Sequence, residues 1–174
     1  VLAPRRPERF ADVESLATQA GFRTARRTSL SIDEDLRADV VVLDTIGELA
    51  QVYQLATAVF VGGSLVTMGG HNILEPAVLG KAIVFGPHMQ NFAEIAETFL
   101  RDRAAIQVAN GRELEDALID LLSNRDHRER LGTAARALVE ANRGAKTRSL
   151  DAIAELFPMP AVISGNILPF PVIH

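Results

Sequence analysis

Two hydrophobic periods alternate along this chain, and that alternation restricts its fold more than any other feature. Runs rich in β-branched residues at 40–43, 58–61, 82–85 and 106–108 are closed by Gly, Asp, Asn or Pro. Consecutive apolar residues over so few positions describe strands covered on both faces. Between and around them, the sets Val13/Leu16/Ala17/Ala20, Leu49/Val52/Tyr53/Ala56, Phe92/Ile95/Ala96/Phe99 and Leu114/Ala117/Leu118/Leu121 repeat at i, i+3, i+4, i+7, the spacing that lines one face of a helix. Strand and helix alternate up to Asn124, which predicts an α/β fold: a Rossmann-like parallel sheet with helices on both faces.

After Asn124 the strand signal stops. Leu131, Ala134, Ala135, Leu138 and Val139 share one helix face, Arg143-Gly144 resembles its end, and Leu150/Ile153/Ala154/Phe157 mark another helix, so two closing helices are expected at the C-terminus. Pro158, Pro160, Pro169 and Pro171 prevent that helix from continuing. The expected organisation is one domain over 1–157 and a proline-rich tail over 158–174. Arg125, Arg128, Arg130, Arg136, Arg143, Lys146 and Arg148 read as a solvated helix face.

Composition excludes several functions. At 174 residues and 48% hydrophobic content, the chain suits one globular unit with its own core. The absence of Cys rules out disulfides, thiolate zinc sites and thiol nucleophiles. Lys and Arg total 18 against 22 for Asp and Glu, a net charge of −4, so no global positive field gathers nucleic acid or anionic lipid. Any anion must be held locally. No apolar run approaches the ~18 residues of a membrane span. No His/Asp/Glu cluster has metal-ligand spacing, and neither a metal nor a cofactor is expected. Val1-Leu2-Ala3-Pro4, without an initiator Met or a signal-peptide layout, reads as a start in mid-fold.

In an open α/β sheet, ligands bind beyond the carboxyl ends of the strands, where loops enter helices. The densest polar segment so placed runs from Gly62-Gly63-Ser64 to Gly69-Gly70-His71-Asn72-Ile73-Leu74-Glu75-Pro76. Its glycine pairs admit φ > 0 and close approach of a ligand to bare amides. Asn72, starting a helix, presents unpaired N–H groups to an anion. Neither Gly-Lys-Ser/Thr nor Gly-x-Gly-x-x-Gly occurs here, which disfavours a P-loop nucleotidase or a simple dehydrogenase. Asn72 and Glu75 either form a capping-box variant or leave Glu75 to accept both hydroxyls of a ribose. Ser64 either bonds a phosphate or closes a turn. Asp44-Thr45-Ile46-Gly47-Glu48-Leu49 offers amides to a base edge or phosphate, or is itself a capping box. In Pro4-Arg5-Arg6-Pro7-Glu8-Arg9, Arg5 is the expected anion clamp and Arg9 a surface residue. Beyond the run at 82–85, Gly86-Pro87-His88-Met89-Gln90-Asn91-Phe92 offers His88 as a donor, acid or base, or as a hydrogen-bonded surface residue. His71 has the same alternatives, and His127 and His174 look incidental.

These four segments, in this order, resemble the C-terminal half of the 3-deoxy-D-manno-octulosonic acid (Kdo) transferase family, over about residues 1–157. Thr67 stands where the family often has Pro, and Arg6 where it often has His. The resemblance implies a two-domain GT-B glycosyltransferase. Its C-terminal Rossmann-like domain binds the donor CMP-Kdo, and its N-terminal domain takes a lipid A precursor in lipopolysaccharide biosynthesis. It places Pro4 and Arg5 at the cytidine or its phosphate, and wraps Ile46, Gly47, Glu48 and Leu49 round the nucleotide through backbone amides. Gly63 and Ser64 fall at the phosphate, Asn72 and Glu75 at the ribose or phosphate, and His88 and Asn91 near the sugar or acceptor.

Transfer in this family is inverting and served by a carboxylate base in the N-terminal domain, and the lack of a metal-ligand cluster in this sequence fits metal-independent chemistry. No catalytic residue is therefore expected within this chain, which would bind CMP without transferring sugar. The parent enzyme would work at the cytoplasmic side of the bacterial inner membrane, associating with it through the other half, while this part is soluble. No nucleic-acid partner is expected. Two other readings stay open: a UDP-sugar-using GT-B transferase or epimerase domain, and a stand-alone nucleotide-binding module.

Overall fold

The computed structural model describes residues 1–30 and 37–156, with side chains as far as Asn142. Two compact units divide the chain, Val1–Val139 and Glu140–His174. The expected tail over 158–174 and its boundary at 157 lie outside the described residues.

In the first unit α1 (Phe10–Gln19) precedes β1 (Thr24–Arg26) and β2 (Val40–Val42). There follow α2 (Leu49–Leu55), β3 (Ala58–Val61), α3 (Leu74–Val78), β4 (Ala82–Phe85), α4 (Ala93–Arg101), β5 (Ile106–Gln107) and α5 (Gly111–Ser123). Every strand pair is parallel: β1 with β2, β3 with β4, and β4 with β5. Leu2 joins as a parallel bridge to Val42, donating its N–H to the Val41 carbonyl and accepting that of Leu43, both at 2.8 Å. The Val40 amide turns the other way, to the Arg23 carbonyl at 3.1 Å, so β2 lies between Leu2 and β1.

β4 shows why the sheet forms. Ala82, Ile83, Val84 and Phe85 are all buried, and successive side chains leave opposite faces of a strand. Ile83 and Phe85 enter a cluster with Val61, Ile73, Ala77, Met89, Ala96 and Phe99. Ala82 and Val84 enter a second cluster with Val108, Leu121 and Leu131. Only a strand with helices over both faces can bury four consecutive side chains in this way. The α/β architecture read from the alternation is the one observed.

Three details differ from expectation. β1 went unread because Thr24-Ala25-Arg26 is short and carries no run of apolar residues. Arg143-Gly144 does not end a helix, since α6 runs unbroken from Arg125 to Leu156. An interior Gly costs a helix only about 1 kcal/mol, which neighbouring residues outweigh. The helix expected to start at Asn72 begins at Leu74 and is five residues long. The basic residues of α6 are partly engaged: Arg125 pairs with Glu129 and Arg128 donates to the Leu121 carbonyl, each at 2.6 Å. α6 also passes close to the turn at Gly80, where a Cβ on Gly132 would lie 2.0 Å from the Gly80 carbonyl oxygen. Among the described residues no helix is long and apolar enough to cross a membrane.

Candidate functional site

Parallel pairing sends the segments after each strand out of one edge of each sheet. Residues 3–5 follow Leu2 and 43–48 follow β2, while 62–72 follow β3 and 86–91 follow β4. All four sequence motifs therefore occupy strand carboxyl ends, where an α/β domain binds ligands.

After Leu2, Pro4 is half-buried and Arg5 and Arg6 are exposed. Among the described residues Arg5 has no hydrogen bond or ion pair, so its guanidinium is a free five-donor fork. Arg9 instead pairs with Asp12 at 3.3 Å on the first turn of α1, as its surface assignment anticipated.

The 44–49 loop is braced from an unexpected quarter. Asp44 accepts the Thr28 N–H at 3.0 Å and the Thr28 hydroxyl at 2.6 Å. The Thr28 hydroxyl bond is the main reason the Asp44 carboxyl sits below its usual range. Glu48 accepts from the Thr45 hydroxyl at 2.5 Å and from Arg27 at 3.2 Å. The capping box read at Thr45 and Glu48 does not form, since α2 begins with no side-chain cap. Held at both ends, the loop lifts Ile46 clear of the protein, 91% exposed. Gly47 takes φ +91°, a conformation that a β-carbon would strain. Leu49 opens α2, half-buried. Arg27 and Thr28 had no signal in the sequence, because nothing local links them to partners 21 and 16 residues away.

The glycine-rich loop behaves differently from the open cradle expected. Gly62 and Gly63 remain partly open, with Gly63 at φ +72° beside His71. Gly69 and Gly70 are buried, and it is protein that approaches them: a Cβ there would meet the Asn91 side chain at 2.5 Å and Met89. The Asn91 N–H donates to the Gly69 carbonyl at 3.1 Å, and its side-chain amide to the Met68 carbonyl at 3.4 Å. The His88 N–H donates to the Ser64 carbonyl at 2.9 Å. The second glycine pair thus serves packing between two strand-end loops. The His88 ring lies half-buried, 3.4 Å from the Gln90 amide nitrogen.

Ser64 resolves toward its structural alternative. It is fully buried, donating its hydroxyl to the Val61 carbonyl at 2.5 Å and accepting the Gly86 N–H at 2.7 Å. That hydroxyl staples the end of β3 to the end of β4. Asn72 lies just ahead of α3, its Oδ1 accepting the Leu74 N–H at 3.0 Å while its Nδ2 donates to Glu75 Oε1 at 3.1 Å. Only the Asn72 half of the capping variant forms, since Glu75 meets the Asn72 side-chain amide and not its backbone N–H; Glu75, exposed, keeps Oε2 for another donor. Five residues of α3 supply little macrodipole, which moves the weight of anion binding toward Arg5.

Parallel strands flanked by helices, with the loops gathered at the strand carboxyl ends, define a Rossmann-like α/β type of domain, and at those ends lie an unpaired guanidinium, a lifted glycine turn and a half-free carboxylate. Residues 21–138 match the family described as glycosyl transferases group 1. A solved structure, the C-terminal CMP-Kdo binding domain of WaaA from Acinetobacter baumannii, superposes with a TM-score of 0.72 at 35% identity, covering 78% of this chain and 70% of that one. The 3-deoxy-D-manno-octulosonic acid transferase of Haemophilus influenzae is 38% identical over 152 residues, 87% of this chain and 35% of that protein. The same-named enzyme of Bordetella pertussis is 34% identical over 155 residues, 89% of this chain and 36% of that protein. The chain belongs to the group 1 glycosyl transferases, and within them its counterpart is the C-terminal domain of the Kdo transferases. It spans about a third of the length of those curated relatives, 35% and 36%.

Proposed function

We propose that this chain is the donor-binding part of an enzyme that moves Kdo from CMP-Kdo to a lipid A precursor, in lipopolysaccharide biosynthesis at the cytoplasmic side of the bacterial inner membrane. The likeness to a domain described as CMP-Kdo binding, at 35% identity, carries this reading. The strand-end positions of Arg5, the 46–49 turn and Glu75 support it.

Cleavage of the bond between Kdo and phosphate builds charge on the departing cytidylate. Arg5 takes two of its phosphate oxygens, a bidentate contact that strengthens as charge develops. Pro4 shapes the approach to it. The backbone amides of Ile46, Gly47, Glu48 and Leu49 meet the nucleotide, and the free oxygen of Glu75, steadied by Asn72, accepts from ribose. Gly63 lies beside the phosphate. Ser64 contributes by holding the two loop roots together rather than through its hydroxyl. His88 and Asn91 face the sugar or acceptor. The base for the acceptor hydroxyl belongs to the other domain, so the 174-residue chain binds CMP and transfers nothing, because transfer needs both reactants held together.

Calorimetric titration of CMP and UDP tests this. CMP binds more tightly than UDP, and Arg5→Ala weakens CMP by about ten- to a hundredfold, as expected for the loss of hydrogen bonds to a charged group. Preference for UDP, or unchanged CMP affinity in both Arg5→Ala and Glu75→Ala, refutes the assignment.

A further inference from the structure

α2 and α3 pack side by side. They leave a groove of about 270 Å³ lined by Ala50, Tyr53 and Gln54 on one side and Glu75, Val78 and Leu79 on the other. Lys81, between α3 and β4, is committed to the Gln54 carbonyl at 2.8 Å. Apart from Gln54, the one polar side chain sharing the groove with Glu75 is Tyr53. Tyr53 is half-buried, and among the described residues its hydroxyl has no hydrogen-bond partner, although tyrosine hydroxyls covered to this degree usually find one. Burial first, and the Glu75 charge second, raise the pKa of its phenol. The phenol therefore keeps its proton and stays a donor at neutral pH.

We infer that Tyr53 is a positioning residue for Glu75: on nucleotide binding its hydroxyl donates to Oε2, the oxygen that Asn72 leaves free, and orients the carboxylate toward the vicinal hydroxyls of a ribose. This rests on the reading of Glu75 as the ribose acceptor. A carboxylate has about four lone-pair directions. With Asn72 on one oxygen and Tyr53 on the other, each oxygen keeps one direction, which matches the two O–H donors of a cis diol. Without Tyr53 the Asn72 bond alone restrains the last torsion of the carboxylate, which is broad and two-fold, and the diol must select one orientation.

The test titrates CMP and its 2′,3′-dideoxy analogue into the chain and into Tyr53→Phe, Glu75→Ala and the double variant. Tyr53→Phe keeps the ring packed and removes one hydroxyl. It weakens CMP about three- to tenfold, leaves the dideoxy analogue unchanged, and adds nothing once Glu75 is Ala. Tyr53 is the chain's only tyrosine, so its ring resonance can be followed alone; it shifts with CMP and not with the analogue. Unchanged CMP affinity in Tyr53→Phe, or equal losses for both ligands, overturns the role of Tyr53 and leaves that of Glu75 standing. Failure of the unaltered chain to favour CMP over the analogue overturns both.

Discussion

Ser64→Ala separates a staple from a ligand contact. The substitution removes one oxygen and leaves two buried backbone groups, the Val61 carbonyl and the Gly86 N–H, without the bonds they make at 2.5 and 2.7 Å. A buried polar group stranded in this way costs about 1–3 kcal/mol. A methyl in place of the hydroxyl leaves little room for a rescuing water, so the expected loss is roughly 2–4 kcal/mol. The fluorescence of Tyr53, in a chain without Trp, reports urea unfolding of the unit over Val1–Val139. With a slope of about 2 kcal/mol per molar urea, the midpoint falls by about 1–2 M at unchanged slope. CMP affinity, measured well below that midpoint, changes far less. The reasoning fails if Ser64→Ala stays within about 0.5 kcal/mol of the parent, the ordinary range of a surface substitution, while losing CMP. That result would put the hydroxyl on the ligand.

The remaining predictions concern α6 and the surface of the first sheet. Gly132→Ala drives a methyl against the Gly80 carbonyl oxygen, 2.0 Å from the ideal Cβ position, and lowers stability by about 1–3 kcal/mol, the usual cost of overpacking; an unchanged thermal midpoint would show that α6 does not pass Gly80 so closely. Arg23 donates to both oxygens of Asp39, at 2.9 and 2.7 Å, and its backbone N–H donates to the same carboxylate at 3.0 Å. The side-chain bond from Arg23 is the first cause that brings the Asp39 carboxyl from 3.8 down to about 2. A carboxyl depressed on folding stabilises above its unfolded pKa and loses that contribution as pH falls through its folded one. The pair therefore helps fully above about pH 4 and fades toward pH 2, weakly and less so in salt because it is exposed. Carboxyl-detected NMR should place the Asp39 midpoint near 2 in the parent and higher in Arg23→Ala, still below 3.8 because the backbone N–H at residue 23 keeps its bond; equal midpoints would remove the pair from solution.

Why β4 was legible and β1 was not follows from where each gets its stability. Four consecutive buried residues in β4 must be apolar, so the run appears in the letters themselves. β1 has three part-buried residues and owes its extended form to pairing with β2, a contact that local periodicity does not register. The candidate site divides along the same line. Gly47 was readable because one backbone position needs φ near +90° and glycine meets that need alone. The brace of Asp44 on Thr28 and the Ser64 bond to Gly86 join residues 16 and 22 apart, and no spacing rule selects them. The four-motif resemblance identified the rim but not which atoms work there. Ser64 and Glu75 belong to one motif, yet the first turns its hydroxyl inward to hold two strands together while the second keeps an oxygen open to solvent. Gly69 and Gly70, expected to bare their amides to a phosphate, instead admit Asn91 and Met89. A binding motif at a strand edge must both meet a ligand and hold its loops against the entropy of moving apart, and only the hydrogen-bond partner of each atom tells the two tasks apart.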